Sequence, residues 1–489
     1  MPDSVNPHSE RADIPLFVDM DGTLVRTDVA QELLVRAFKS PAALWAVASG
    51  GASTGVSGMK RALSDHMEFH ADILPYNPDV LDYVEKARGA GRRVFLATAA
   101  DSKVARAVAD HTGLFDDVIA TEPGHNMKGA TKLAAIRDAA GPGGFEYLGD
   151  SSADLPIWHE ARLRGFAAIP PGARDLAADG TATLMPGDPA SFWRALFRAM
   201  RPHQWVKNIL VFVPLFFAHM YFDALSVTRA ALAFVAFSAC ASAVYLINDM
   251  LDVEADRSHA SKCKRPFAAG ELTPKPGVAA ALILMLAGLA VGFGTVGWQF
   301  GLVLLLYLGL TQAYSLWLKV YSTIDVVVLS LLYTLRIVAG AAAIQVVPSP
   351  WILTFSLFFF LSLAYMKRYI ELSRAKSEGR LPSRNYYTGD VIVVQIFGIA
   401  NAALSLMTMA EYISNEQAQG RYQSPGVLWL MLPVMMFWTY RSWMWANRDQ
   451  IGDDPVVFAI KDRISRFCGL ILVGIVLAAY AINLDWMLP

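Results

Sequence analysis

Three stretches of this sequence gather acids where they can hold a divalent cation against phosphate. In residues 248–270, NDMLDVEADRSHASKCKRPFAAG, Asn248, Asp252 and Asp256 lie four apart, ahead of Lys262, Lys264 and Arg265. Positions i, i+4 and i+8 share one stripe of a helix, so an amide and two carboxylates face one space, with Asp249 on the flank and Glu254 pointing elsewhere. Hard oxygen ligands at this spacing suit Mg²⁺, which keeps some waters and shares the rest of its shell with substrate phosphates. Lys264 and Arg265 then suit the remaining phosphate oxygens. The plainer alternative is a solvated, mixed-charge loop between two membrane helices. The second stretch is Asp19-Met20-Asp21-Gly22-Thr23-Leu24, and the third is Gly149-Asp150-Ser151-Ser152-Ala153-Asp154.

The elements around these acids differ between the two parts of the chain. Its 489 residues exceed one ordinary domain, and 54% hydrophobic with 17% charged residues is unusual for a soluble protein. The apolar excess is confined to residues after about 190. A net charge of −1 gives no sign of nucleic-acid binding. Cys240, Cys263 and Cys468 have no metal-ligand spacing and read as structural. No signal peptide is expected, because the first apolar run, 14–18, is too short and lies among acids.

In the first part, Leu16-Phe17-Val18 reads as a strand delivering Asp19 and Asp21 to the carboxyl edge of a sheet, where open α/β folds bind ligands. Taken alone, the same DxDGT also suits a simple turn. Residues 93–98 read as a strand ending in Thr98, and Tyr147-Leu148-Gly149 as a strand ending in paired acids. Lys128 lies in NMKGATKL, with Lys132 four residues on. Helices at 79–89 and 102–112 alternate with the strands, which predicts a doubly wound parallel sheet. Between 26 and 88 lies a mostly helical insertion with a Gly/Ser-rich break at 49–58; its His66 and His70 read as solvent-facing. The expected layout is a disordered 1–13, an α/β domain over 14–185 and a boundary at Pro186-Gly187-Asp188-Pro189. An interfacial helix then lies within 186–205, where Phe192, Trp193, Leu196 and Phe197 interleave with Arg194, Arg198 and Arg201.

Residues 206–489 form an all-α membrane domain, with about nine spans expected near 206–222, 226–248, 278–297, 299–318, 324–346, 350–366, 390–410, 426–445 and 467–487. Lys and Arg crowd one side: Arg194, Arg198, Arg201, Lys207, Lys319, five in 257–275, six in 367–384 and five in 441–466. The other side holds Arg229 and Arg421. This imbalance places the first domain and the acidic motif in the cytoplasm, with the C-terminus opposite. On the cytoplasmic side, Tyr314, Lys319, Asp325 and Arg336 surround a helix start, where charge at membrane depth is costly unless paired or functional. Lys367 and Arg368 suit a phosphate or diphosphate, with Glu371 able to orient one of them, or else serve as ordinary flanking charge. Asp453, Asp454, Lys461 and Arg463 read as flanking charge.

Taken together, Asp19-Met20-Asp21-Gly22-Thr23, Thr98, Lys128 and Asp150-Ser151-Ser152-Ala153-Asp154 resemble, in order, the four motifs of the haloacid dehalogenase (HAD) superfamily of phosphohydrolases. The resemblance implies Asp19 as a nucleophile that forms an aspartyl-phosphate, and Asp21 as acid for the leaving group and then base for water. It implies that Thr98 and Lys128, or its rival Lys132, hold phosphoryl oxygens, that Asp150 binds Mg²⁺ with Asp19, and that Asp154 supports the site. The insertion then reads as a small cap that leaves room for a large substrate. The chemistry agrees, since a carboxylate attacking a phosphate dianion needs a metal and a lysine to offset charge.

Asn248, Asp252 and Asp256 resemble the NxxxDxxxD motif of the UbiA superfamily of intramembrane prenyltransferases, over about residues 195–489. The fuller wording, with KRPFAAGEL behind it, is similar to the branch that makes polyprenyl-phosphoryl-5-phosphoribose. Many aromatic prenyltransferases of that superfamily carry a second DxxxD here; in this chain the position four after Asp325 is Leu329. What this implies is a bifunctional bacterial inner-membrane enzyme using Mg²⁺ in both domains. It would transfer 5-phosphoribose from phosphoribosyl diphosphate (PRPP) to a polyprenyl (decaprenyl-type) phosphate and then remove the 5-phosphate, giving a precursor for arabinofuranosyl donors. Asp249, Asp252 and Asp256 would serve the metal, and Asn248, Lys264, Arg265, Tyr314, Lys319, Asp325, Lys367 and Arg368 the substrates. The alternatives are an aromatic prenyltransferase of quinone synthesis fused to an unrelated phosphatase, or a first domain that only docks or regulates. Polyprenyl length and oligomeric state are not legible.

Overall fold

A computed structural model describes residues 14–179, 182–185, 192–375, 379, 384–415, 422–452 and 454–482. The expected disordered start, the 186–189 boundary, Lys376, Arg380, Arg421 and Asp453 lie outside the described residues. The chain divides into two compact units, Met1–Met200 with Tyr245–Ala281, and Arg201–Val244 with Leu282–Pro489.

The first unit is built on a parallel sheet of six strands: β1 (Leu16–Val18), β2 (Val94–Asp101), β3 (Asp117–Thr121), β4 (Glu146–Gly149), β5 (Leu163–Phe166) and β6 (Thr183–Leu184). Their order is β3-β2-β1-β4-β5-β6. Apolar β1 is central and fully buried, as a parallel strand covered on both faces must be. Its register runs Leu16 to Val94 on one side and Leu16 to Glu146 on the other. Because β2 and β4 both flank β1, the residues leaving all three strands meet at one edge. The expected doubly wound sheet is what forms. β2 runs three residues past Thr98, so Thr98 lies inside the strand.

The cap consists of helices Val29–Ala37, Pro41–Thr54 and Val56–His66. Asp28 and Ser40 cap the first two by accepting from Gln31 N and Ala43 N. The Gly/Ser-rich segment expected as a break at 49–58 is instead helical to Thr54 and turns only at Gly55, φ 65°. Gly50 and Gly58 let the two helices touch: a Cβ on Gly58 would lie 2.2 Å from the Gly50 carbonyl oxygen. Helix Pro78–Gly89, also within the expected cap, buries Val80, Val84 and Ala87 in the core of the sheet and leads into β2. Helix Phe192–Ala199 buries Ala195 and Ala199 and exposes Phe192, Trp193 and Phe197, the amphipathic face its sequence predicts.

Seven helices are long and apolar enough to cross a membrane among the described residues: Ala224–Leu251, Pro274–Val296, Trp298–Leu316, Ile324–Ala343, Pro350–Ser373, Thr388–Ser414 and Arg463–Ala481. The division expected at Gly297-Trp298 is present, with Gly297 at φ 142°. The expected count of nine is not reached. Near 206–222 the chain forms a 3₁₀ stretch, Pro202–Phe212, and a five-residue helix, Val213–Phe217. Near 426–445 a 3₁₀ stretch, Pro425–Leu430, leads directly into a 17-residue helix, Met431–Asn447.

Candidate active sites

Asp19 leaves β1 and Asp150 leaves the neighbouring β4, so strand order alone makes them neighbours. A 3₁₀ turn, Ser152–Asp154, returns Asp154 to the same place; ligand oxygens of Asp19, Asp150 and Asp154 lie within 4.8 Å of one another. This is the one such group of three among the described residues. Asp154 is held by Ser151 N and Oγ, each donating at 3.1 Å to Oδ2, and by Tyr147 OH donating at 2.7 Å to Oδ1. Thr23 Oγ1 donates to Asp150 at 3.4 Å. Gly22, at φ 78°, makes room for the cluster: a Cβ there would lie 2.1 Å from Asp150 Oδ2.

Burial, aided by the neighbouring acids, pushes Asp19 up to about 6 and Asp150 up to about 7, even with Lys132 opposing the rise. Three hard-oxygen donors this close together are a donor set a divalent cation fits. Burial and Asp28 also raise Asp21 well above the carboxylate range, while Val29 N donates to its Oδ1 at 3.0 Å. A carboxyl that holds its proton more tightly than usual suits a leaving-group donor.

Of the two candidate lysines, Lys132 is the one seen in contact with Asp19 and Asp154. Lys132 is 3% exposed, with Nζ 3.0 Å from Asp19 Oδ1, 3.6 Å from Asp154 Oδ1 and donating to Tyr147 OH at 2.6 Å. Lys128 is exposed. Helix Ala130–Ala140 begins after Gly129 at φ 59°, and its first turn aims Lys132 inward. Thr98 is buried, its Oγ1 accepting from Ala100 N at 3.0 Å. The sequence reading missed Lys60 of the cap. Its Nζ donates to Ala99 O at 2.5 Å and Asn126 Oδ1 at 3.2 Å, and the charges of Asp21 and Asp28 act on it.

The acidic motif departs from a continuous stripe. Helix Ala224–Leu251 stops before Asp252, which starts the short helix Val253–Arg257. Asp249 and Asp256, both 3% exposed, come together on Arg265, whose Nη1 lies 3.3 Å and 2.6 Å from their carboxylates. Asn248 Oδ1 is buried without a hydrogen-bond partner. Asp252 turns away to Lys39, 2.6 Å distant, and Lys264 is exposed. Asp249 and Asp256 are thus the two acids of the motif that the structure brings together.

In the second unit, Asp325 and Arg368 form one network. Arg368 is wholly buried, with Nε 2.7 Å from Asp325 Oδ2 and Nη1 on Glu371. Arg384 Nη1 lies 3.1 Å from Asp325 and donates to Tyr314 OH at 3.3 Å; Tyr386 OH donates to Asp325 at 2.7 Å. Lys319 is half-buried. Arg336, expected near the helix start, sits mid-helix over the rings of Phe237, Tyr307 and Tyr333 at 5.2–5.4 Å. Lys207 pairs with Asp454, and both act on half-buried Lys367. Arg384, Tyr386, Lys207 and Asp454 were not singled out by spacing; their signal was charge near membrane depth. Elsewhere in this unit, Leu210, Phe217, Met220, Phe355, Phe359 and Met409 help line an apolar cavity of about 840 Å³, a size suited to a hydrophobic ligand.

Residues 209–460 match the model of the UbiA prenyltransferase family, and residues 16–159 that of haloacid dehalogenase-like hydrolases. An uncharacterized protein, y4nM of Sinorhizobium fredii, is 37% identical over 94% of this chain and 90% of its own length. Nodulation protein NoeC of Azorhizobium caulinodans is 31% identical over 58% of this chain and 92% of its length. Decaprenyl-phosphate phosphoribosyltransferase of Mycobacterium tuberculosis is 38% identical over 197 residues, 39% of this chain and 64% of that protein. The chain thus spans somewhat less than two thirds of that last relative.

Proposed function

We propose that this chain, which belongs to the UbiA prenyltransferase family and carries a haloacid dehalogenase-like hydrolase domain ahead of it, makes polyprenyl-phosphoryl-ribose in two steps. Its seven apolar helices and its family make it an integral membrane protein. The orientation that the distribution of Lys and Arg favours puts the hydrolase domain in the cytoplasm of a bacterial inner membrane.

In the first step an oxygen of a polyprenyl phosphate attacks the anomeric carbon of PRPP; the bond from that carbon to the diphosphate oxygen breaks, and diphosphate leaves. Asn248, Asp249 and Asp256 would hold Mg²⁺, which supplies charge compensation to the departing diphosphate. Asp252, expected among these ligands, faces Lys39 and would join them only on releasing it. Arg265 and Lys264, on the same loop, suit phosphate oxygens, and in the second unit Lys367 is a further cation of that kind. The apolar cavity suits the polyprenyl chain. The observation that carries the reading is the fate of Asp325. It is the single acid at its helix start, Leu329 standing where a second would be, and it is occupied by Arg368, Arg384 and Tyr386. That arrangement favours phosphoribosyl transfer, the activity for which the M. tuberculosis relative is named, over a prenyl transfer needing two acidic motifs.

In the second step Asp19 attacks the phosphorus of the ribose 5-phosphate. Asp21 gives its proton to the departing C5 oxygen, then takes one from the water that splits the aspartyl-phosphate and releases inorganic phosphate. Lys132 holds Asp19 and stands ready for a phosphoryl oxygen, with Thr98 close by. Asp19 and Asp150, supported by Asp154, would hold Mg²⁺ there. One chain keeps the intermediate near its next site, raising its effective concentration, and the product is a precursor for arabinofuranosyl donors. Asp19→Asn tests the pairing: it should accumulate lipid-linked ribose 5-phosphate, and dephosphorylated product at the wild-type rate would remove the hydrolase from the sequence.

A further inference from the structure

The cap of the hydrolase domain and the loop carrying the transferase acids belong to one compact unit, and they meet along a single helix. Val29–Ala37 donates its first N–H to Asp21. Along its flank Glu32 accepts from both terminal nitrogens of Arg257, at 2.9 and 2.6 Å, and from Thr27 Oγ1 at 2.6 Å. The side chains of Arg257 and Glu32 are 4% and 8% exposed, and Arg257 Nε donates to Ala268 O at 3.1 Å. The pair is therefore buried and bidentate, with its remaining polar atoms met on both sides, the condition under which a buried ion pair fixes geometry.

Four further contacts join the same segments, two from this helix and two from residues beside it. Gln31 Oε1 accepts from Lys275 N at 3.0 Å, Arg36 pairs with Glu254 at 2.5 Å, and Lys39 pairs with Asp252 at 2.6 Å. Gly270, at φ 72°, rests against Arg26 and Pro75, where a Cβ would come within 2.7 Å of Arg26 Cβ. With the Glu32–Arg257 pair, three of the five contacts fall within or beside the motif, at Asp252, Glu254 and Arg257 around Asp256. Neither Glu32 nor Arg257 is among the reacting groups of either site.

We propose that helix Val29–Ala37 is a positioning element for both sites, with Glu32–Arg257 as the latch by which the hydrolase cap holds the acidic loop 252–275 in its working shape. The hydrolase domain is then a constituent of the transferase as well as the second enzyme. For the role of the loop this rests on the function proposed above; the interface itself does not.

The test uses full-length protein in detergent with Mg²⁺ and three variants: Glu32→Gln, Arg257→Lys and the surface change Lys39→Met. Two readouts are taken, hydrogen exchange of backbone amides in 252–275 and the KM for PRPP in transfer to a polyprenyl phosphate. Glu32→Gln should speed exchange in the loop at least tenfold and raise the KM several-fold more than it changes kcat, although the substitution lies in the other domain. Arg257→Lys, which keeps the charge but loses the fork, should fall between it and wild type, and Lys39→Met should show a smaller shift of the same kind. Unchanged loop exchange and unchanged KM in Glu32→Gln would overturn the proposal, as would a transfer defect confined to kcat with the loop undisturbed. A wild-type protein that transfers nothing from PRPP would fail the functional reading alone, and loop exchange in Glu32→Gln would still decide the latch.

Discussion

Replacing Lys132 by methionine removes a cation that touches two acids of the hydrolase site. Its Nζ is 3.0 Å from Asp19 and 3.6 Å from Asp154, and its side chain is 4% exposed. At 3.0 Å, with an effective dielectric of about 20, the attraction to Asp19 is on the order of 5 kcal/mol, and breaking a buried pair typically costs about 3–5 kcal/mol. Part of that is recovered because Asp19, already raised to about 6, takes up a proton. Turnover suffers further, because the phosphoryl oxygens lose a preorganised donor, an effect worth roughly 10²–10³ in rate. Hydrolysis of p-nitrophenyl phosphate by the full-length protein with Mg²⁺ should fall by about that factor in Lys132→Met. Lys128→Met, a change at an exposed residue, should stay within about threefold. Equal losses in the two variants, or a larger loss at Lys128, would refute the assignment and return the role to the lysine that motif spacing alone suggests.

The raised pKa values of Asp19 and Asp150 carry a sign for stability. A folded-state carboxyl raised above its unfolded value makes stability fall as pH rises from about 4 through 6–7, by up to ~3 kcal/mol for a shift of two units at Asp19. The gain in Tm on adding Mg²⁺, read by scanning fluorimetry, should therefore grow from pH 5.5 to 7.5 and shrink in Asp150→Asn; a gain independent of pH would contradict it. Gly22→Ala combines a positive φ with a Cβ 2.1 Å from Asp150, so p-nitrophenyl phosphate turnover should drop about 10²-fold while the protein still inserts in membranes; wild-type turnover would show that the turn yields freely. Asp325→Asn removes the buried carboxylate shared by Arg368 and Arg384 and leaves them Glu371 alone, and should cost about 3 kcal/mol and several degrees of Tm in detergent. A smaller loss in Asp325→Glu is expected, and an unchanged Tm in Asp325→Asn would mean the network does not hold the helices.

How much of this was legible depends on the range over which residues act. Short apolar runs before Asp19 and Asp150 placed two strands, and a parallel sheet with β1 between β2 and β4 brings their exits together, so the acids of the hydrolase site followed from local sequence. The choice between Lys128 and Lys132 did not, because it turns on Gly129 and the phase of the helix that begins at Ala130. The spacing of Asn248, Asp252 and Asp256 suggested one helical stripe. The helix ends at Leu251, and a partner more than 200 residues away, Lys39, draws Asp252 outward. For the same reason the pairing of Glu32 with Arg257 and of Arg36 with Glu254, each across more than 200 residues, is not legible in the sequence. Hydropathy counts apolar residues but does not see that 202–217 winds mostly as a 3₁₀ helix, which is why nine expected spans become seven long helices among those described.

The most direct test of the two-step account incubates the purified protein in detergent with Mg²⁺, PRPP labelled in its ribose and a polyprenyl phosphate, then weighs the labelled lipid by mass spectrometry. The account predicts lipid-linked ribose without its 5-phosphate. No labelled lipid, together with turnover of an isoprenyl diphosphate and an aromatic acceptor, would contradict it.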